Sequence, residues 1–289
     1  MSAPAAVTRI PVEYRFPLHL EPSVETVWDL YNDAKRTAWD PAVAIPWATP
    51  IVGTHAERDA ARLVWSHRAW LAYGRLSEGP ALLVRFCLER QRESDPKYTL
   101  SVRGSEDAWH VDASERLAAR FGGFIDSPED AAYAAGFNLS LHRQLFSADE
   151  SLDAQVAALV LDRDALDAAL LAAAEQGTTD PAAAAALALM RRDRERQARF
   201  GALYLAGRAA KWHAAERATI RAVIARVRAQ FIATGLLHPA LGAAPPALAE
   251  AYERAAEAGL GGLACADAAR VRETWSREAE ERLAALGLS

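Results

Sequence analysis

What most constrains this chain is how rarely its helix-forming sequence is interrupted. Alanine and leucine dominate, and only 16 glycines and 14 prolines punctuate 289 residues, mostly between long segments. Alanine and leucine give up little conformational freedom in a helix, while glycine and proline break it. Strand-like alternation occurs only near Ile10 to Leu20, bounded by Pro11 and Pro17, and reads as an extended arm.

The punctuation divides the rest into helices. Pro22-Ser23 opens a helix through Trp28, Tyr31 and Lys35, which must end before Asp40-Pro41 because a residue preceding proline is pushed out of the α region. A loop with Pro41, Pro46 and Pro50 follows. Helix A is expected from about His55 to Arg92, with a kink or break at Gly79-Pro80. Helix B runs from Asp95-Pro96 to about Phe121 and stops at Gly122-Gly123. Ser127-Pro128-Glu129-Asp130 opens another helix with an N-cap and early acids. Helix C is expected from about Ser151 to Glu175, and helix D from Asp180-Pro181 as far as Thr234 with a break near Gly207. Two helices end the chain, about Pro246 to Ala258 and Ala264 to Leu286. The organisation is one all-α domain: residues 1–54 as arm, helix and loop, 55–235 as a bundle core, and 236–289 as C-terminal helices.

Composition narrows the function. Hydrophobic residues at 51% and charged residues at 25% support a sizeable core and argue against disorder. A net charge of -5 with scattered basic residues argues against a nucleic-acid surface. No apolar stretch is long enough to span a membrane, and the N-terminus shows no secretory h-region, so a cytoplasmic protein is expected. Cys87 and Cys265, far apart, read as buried free thiols. Nucleotide-binding glycine loops, a nucleophile elbow and Cys-x-x-Cys are all missing from the sequence.

One constellation carries chemistry. A dinuclear metal site in a four-helix bundle needs a carboxylate from each of two helices and a Glu-x-x-His pair from each of the others, since residues three apart share a helix face. Asp107-x-x-His110 has that spacing on helix B, Glu78 lies on helix A, and Asp162 follows the apolar run Val156 to Leu161 on helix C. A lone acid beside such a run is costly unless paired or bound to a cation.

These segments resemble the ferritin-like diiron proteins, in particular the arylamine N-oxygenase-like and ribonucleotide-reductase-small-subunit-like branch. The resemblance rests on Ser77-Glu78-Gly79-Pro80-Ala81-Leu82, Glu106-Asp107-Ala108-Trp109-His110, Asp162, and Asp193-Arg194-Glu195-Arg196-Gln197-Ala198-Arg199-Phe200-Gly201, the last matching at Asp193, Arg196, Phe200 and Gly201. Trp39-Asp40-Pro41 and Ile45-Pro46-Trp47 are also similar to that family's entry segment, and the likeness covers about residues 23–215. It implies a ferritin-like four-helix bundle with additional N- and C-terminal helices. It further implies metal ligands Glu78, Asp107, His110 and Asp162, and oxidation of a small organic substrate, often an amine, with a redox partner and a homodimer as possible associations.

The departures lie on helix D. Arg194 stands at the family's metal-carboxylate position and Gln197 at its histidine position. A guanidinium stays protonated and does not ligate a metal. Three states of the site follow: Arg194 pairs with Glu78, Asp107 or Asp162 in a metal-free ion cluster; one iron or manganese ion binds Glu78, Asp107 and His110; or a residue such as Glu195 or His213 completes a two-metal site. His213-x-x-Glu216 has ligand spacing but also reads as a terminal-turn pair. Arg194 and Gln197 are the candidate catalytic residues, Arg194 as an anchor for an anionic substrate. Trp70 and Tyr73 are candidate pocket residues, and His142 reads as an inter-helix hydrogen-bonding group. Two function classes remain: an oxidoreductase with an altered one-metal or metal-free site, and a non-catalytic subunit or small-molecule-binding protein with a structural ion cluster.

Overall fold

The computed structural model describes residues 24–90, 92–138, 145 and 150–288. The expected arm at Ile10 to Leu20 and His142 lie outside them. Among the described residues there is no strand. In chain order the elements are α1 (Glu25–Arg36), α2 (Pro41–Ala44), α3 (His55–Glu89), α4 (Asp95–Phe121), α5 (Ala131–Asn138), α6 (Leu152–Gln155), a π-helical segment (Val156–Arg163), α7 (Asp164–Gly177), α8 (Pro181–Ala209), α9 (Ala214–Ala233), a 3-10 turn (Pro239–Leu241), α10 (Pro246–Glu257) and α11 (Cys265–Ala285).

Four long rods form the nucleus: α3 along α4, and the α6–π–α7 rod along α8. Around them α1 lies on α4 and α8, α9 on the π segment, α10 on α3 and α11 on α7. This is an all-α bundle with extra helices at both ends, as the sequence predicts. Its core is built from large apolar side chains such as Trp65, Leu82, Phe86 and Phe200, all buried. Each such side chain removed from water stabilises by roughly 1.5–3 kcal/mol.

The helix ends follow local chemistry. Thr54 and Glu57 close a reciprocal capping box on α3, Glu57 N–H donating to Thr54 Oγ1 at 3.3 Å and Thr54 N–H to Glu57 Oε2 at 2.6 Å. Asp180 caps α8, accepting from Ala183 N–H at 2.9 Å, with Pro181 in the first turn. Gly122 and Gly123 end α4 at φ 140° and 123°, where a side chain would be strained.

Two boundaries differ from the sequence reading and a third agrees with it. Gly79-Pro80 does not break α3, which is helical from His55 to Glu89. The helix expected after Ser127 starts at Ala131, with Asp130 Oδ1 accepting from Ala132 and Tyr133 N–H. The long fourth helix ends at Ala209, within two residues of the break expected near Gly207, and α9 starts afresh at Ala214 behind a His213–Glu216 capping box. Within that break Trp212 turns inward, and its indole N–H donates to buried Asp153 Oδ2 at 2.8 Å.

Candidate functional site: a buried guanidinium–carboxylate cluster

Among the residues of the four rods that face each other is a buried layer of charged and polar side chains. Arg75 and Glu78 share a face of α3, three residues apart. Arg103, Asp107 and His110 form a stripe at four- and three-residue intervals on α4. Arg163, Asp164 and Asp167 come from the end of the π segment and the start of α7, and Arg194 and Gln197 from α8. All are buried.

Their charges match one to one. Arg163 grips Glu78 bidentately, Nη1 donating to Oε1 at 2.9 Å and Nη2 to Oε2 at 2.5 Å. Arg103 Nη1 donates to Asp164 Oδ2 at 2.6 Å. Arg194 Nη1 stands 2.7 Å from Asp107 Oδ1 and its Nε 3.0 Å from Asp167 Oδ2, while Arg75 also pairs with Asp167. Asp107 is the most loosely held member. It is fully buried and ion-paired, yet neither of its oxygens receives an aligned hydrogen bond. Burial alone would raise the Asp164 carboxyl, but Arg103 and then Arg163 beside it hold it down at about 2. Asp167 is likewise depressed by Arg75 and Arg194 against the cost of burial. Arg163 and Arg194 are pushed up: burial opposes their charge, and Glu78 for the first and Asp107 for the second outweigh it.

A second polar layer adjoins the first. Arg194 Nη1 donates to Gln197 Oε1 at 2.5 Å, and Gln197 Nε2 passes the chain on to Glu106 Oε2 at 2.7 Å. Arg196 Nη2 donates to Glu106 Oε1 and Asp193 Oδ1, both at 2.6 Å. Asp193 Oδ2 accepts from the Trp39 indole at 2.8 Å and stands 3.2 Å from His110 Nε2. Burial would raise the Asp193 carboxyl, but His110 and then Trp39 keep it at about 2, so it is ionised and only accepts. Against a carboxylate oxygen that only accepts, the His110 Nε2 contact is one in which the ring N–H donates.

The structure brings some of the sequence-predicted residues together and leaves others apart. Glu78, Asp107, His110, Arg194 and Gln197 all belong to the buried layers. Asp162 does not. It faces outward to α9, where Arg228 Nη2 and Nε donate to its oxygens at 2.8 and 3.1 Å. The cause is the π segment, whose wider turn shifts the phase of every later residue, so that Asp164 takes the inward place. Tyr73 is 69% exposed and lines nothing buried. Trp70 donates to Ile125 O at 2.8 Å at the edge of a separate surface groove. The site face of α3 is Leu71, Ala72, Arg75 and Glu78, so positions 70 and 73 point elsewhere. Glu195 is half exposed and paired with Arg191, and His213 is the exposed cap of α9. Neither completes a metal site. The residues the sequence reading missed, Arg75, Arg103, Arg163, Asp164 and Asp167, showed only as charges on apolar helices. The i, i+4 spacing of Arg103 and Asp107 was their one legible signal.

A small cavity of about 40 Å³ lies against the cluster, bordered by Arg68, Arg75, His110, Ser114, Asp167 and Arg194 among others. That is room for a few water molecules.

No known family's sequence model matches the chain, and no curated protein matches it in sequence. Solved structures do. An R2-like ligand-binding oxidase with an aerobically reconstituted Mn/Fe cofactor superposes with a TM-score of 0.60 at 15% identity, covering 90% of this chain and 92% of that one. The photoconverted form of an R2-like ligand-binding oxidase gives 0.57 at 16% identity over 90% and 92%. A point mutant with an anaerobically reconstituted Mn/Fe cofactor gives 0.58 at 15% identity over 91% and 94%. This chain has the R2-like ferritin fold.

The residues present do not suit the metal pair that such a fold implies. Among the described residues no three His, Cys, Asp or Glu side chains converge as an ion-binding set. The carboxylates Glu78, Asp107, Asp164 and Asp167 are each engaged by guanidinium groups.

Proposed function

We propose that this chain is a metal-independent, small-ligand-binding protein on a ferritin-like scaffold, in which guanidinium groups replace the metal ions. One observation carries the reading: Arg163 on Glu78 and Arg194 on Asp107, both buried, use the negative charge a metal would need. Two dications and four arginines cannot share four carboxylates in a dry interior without a large uncompensated charge. The cavity beside the cluster gives a ligand its place.

A second reading draws on the structural neighbours, which are oxidases carrying Mn/Fe cofactors. In it the chain is an oxidase acting on a small organic substrate with a single iron or manganese ion. That ion would have to displace Arg194 from Asp107 and Asp167.

Anaerobic addition of Mn(II) and Fe(II) to purified protein, followed by calorimetry and thermal melting, separates the two. The metal-independent reading predicts no saturable heat and an unchanged melting temperature. Saturable binding that His110→Ala abolishes would establish the oxidase reading instead.

A further inference from the structure

The cavity is bordered by more positive than negative charge. Four arginines and four carboxylates of the cluster balance one another, but Arg68 on α3 adds a further cation. Among the described residues no carboxylate forms an ion pair with it. Its guanidinium lies over the Trp65 ring at 4.5 Å and the Tyr252 ring at 5.8 Å. Aromatic faces attract a cation without neutralising it.

The hydrogen-bond donors tell the same story. Arg68 Nη1, Arg75 Nη2 and Ser114 Oγ are buried atoms without a hydrogen-bond partner, and all three residues border this one cavity. Arg75 and Ser114 are 5% and 0% exposed. Unpaired buried donors are costly, and donors on charged groups more so. The acceptors do not offset them: Asp167 is already shared by Arg75 and Arg194, and the Tyr252 hydroxyl is engaged with His67 at 2.9 Å. Water would satisfy the N–H groups but would leave the extra charge in place. The remaining wall combines Arg194, His110 and His238 with apolar residues such as Leu71, Leu170 and Met190.

We propose that this cavity binds one small monovalent anion, of the size of chloride, formate or nitrate, held by Arg68, Arg75 and Ser114. The inference rests on the metal-independent reading of the neighbouring cluster and names the ligand class for it. One negative charge would pair with Arg68, which no carboxylate among the described residues engages, and a pocket of about 40 Å³ has room for an anion of a few heavy atoms.

The test is thermal melting and calorimetry of the full chain with sodium chloride, formate and nitrate, against sodium gluconate at equal ionic strength. Gluconate is monovalent but too large. The expected result is a saturable, one-to-one stabilisation by the small anions that gluconate does not reproduce. Arg68→Met weakens the affinity by about tenfold or more, since a charged partner is lost. Ser114→Ala keeps every charge and the fold, and weakens it by a smaller factor, so it decides the matter if Arg68→Met does not fold. An equal response to all four salts, or wild-type affinity in Ser114→Ala, overturns the site. Metal content is measured on the same samples. Metal-free protein that ignores small anions refutes the anion site alone, whereas stoichiometric metal refutes the reading beneath it.

Discussion

Arg191 and Arg194 lie three residues apart on α8 and have opposite surroundings. Arg191 reaches Glu175 at 2.6 Å and Glu195 at 2.8 Å on a partly exposed face. Arg194 is 1% exposed and holds both Asp107 and Asp167. Exposed pairs contribute little because water already solvates both charges, while removing one partner of a buried pair strands the other. Arg194→Met is therefore expected to cost about 3–5 kcal/mol in urea unfolding, and Arg191→Met about 1 kcal/mol or less. Equal costs for the two would show that the cluster is hydrated rather than dry. The sequence singled out Arg194 because a cation stood where the family resemblance called for an acid. It could not show Arg75 or Arg163, since an arginine on an apolar helix looks the same whether it snorkels outward or pairs inside.

At the scale of elements, helix identity was legible and helix phase was not. The α3, α4 and C-terminal helices follow from capping residues and proline positions, which act locally. Pro80 misled because a proline can be absorbed within a long, well-packed helix. The π segment left no local sign: Val156 to Leu161 is simply an apolar run, and packing decides whether it winds at four or five residues per hydrogen bond. That one unreadable turn moved Asp162 out of the site and Asp164 into it. Gly201 marks where α8 presses on the same segment. A Cβ there would lie 2.8 Å from Leu161 N and 3.1 Å from Leu161 Cα. Backbone cannot give way as a flexible side chain can, so Gly201→Ala is expected to destabilise by about 1–3 kcal/mol in chemical denaturation, despite alanine's better helix propensity. A neutral or stabilising effect would mean that the two helices can separate freely.

The whole molecule should respond to acid through histidines before carboxylates. His67 is fully buried between two tyrosines, 2.9 Å from Tyr252 Oη and 3.0 Å from Tyr133 Oη. Burial first, and then nearby His238 and Arg68, lower it to about 3, while burial lowers His238 to about 4. In the unfolded chain both take up protons near the ordinary value of about 6.5. Stability from their neutral forms is thus complete above that pH and is lost as pH falls from about 6.5 toward 4, at about 1.4 kcal/mol per pH unit for each. Asp164 and Asp193, held at about 2, withdraw their contribution only below the unfolded carboxylate range near 4. Melting temperatures measured from pH 7 to 4 should fall continuously; a flat profile down to pH 4 would contradict the buried neutral histidines. Among the described residues no helix is long and apolar enough to cross a membrane.

The central question for this molecule is whether protein cations have replaced metal cations between the four rods. The most direct measurement is the quantity of iron and manganese per chain in protein purified from cells grown with both metals in excess. The account predicts only traces, far below one metal per chain, and a melting temperature that a strong chelator leaves unchanged. One or two tightly held metals per chain, lost together with stability on chelation, would contradict it.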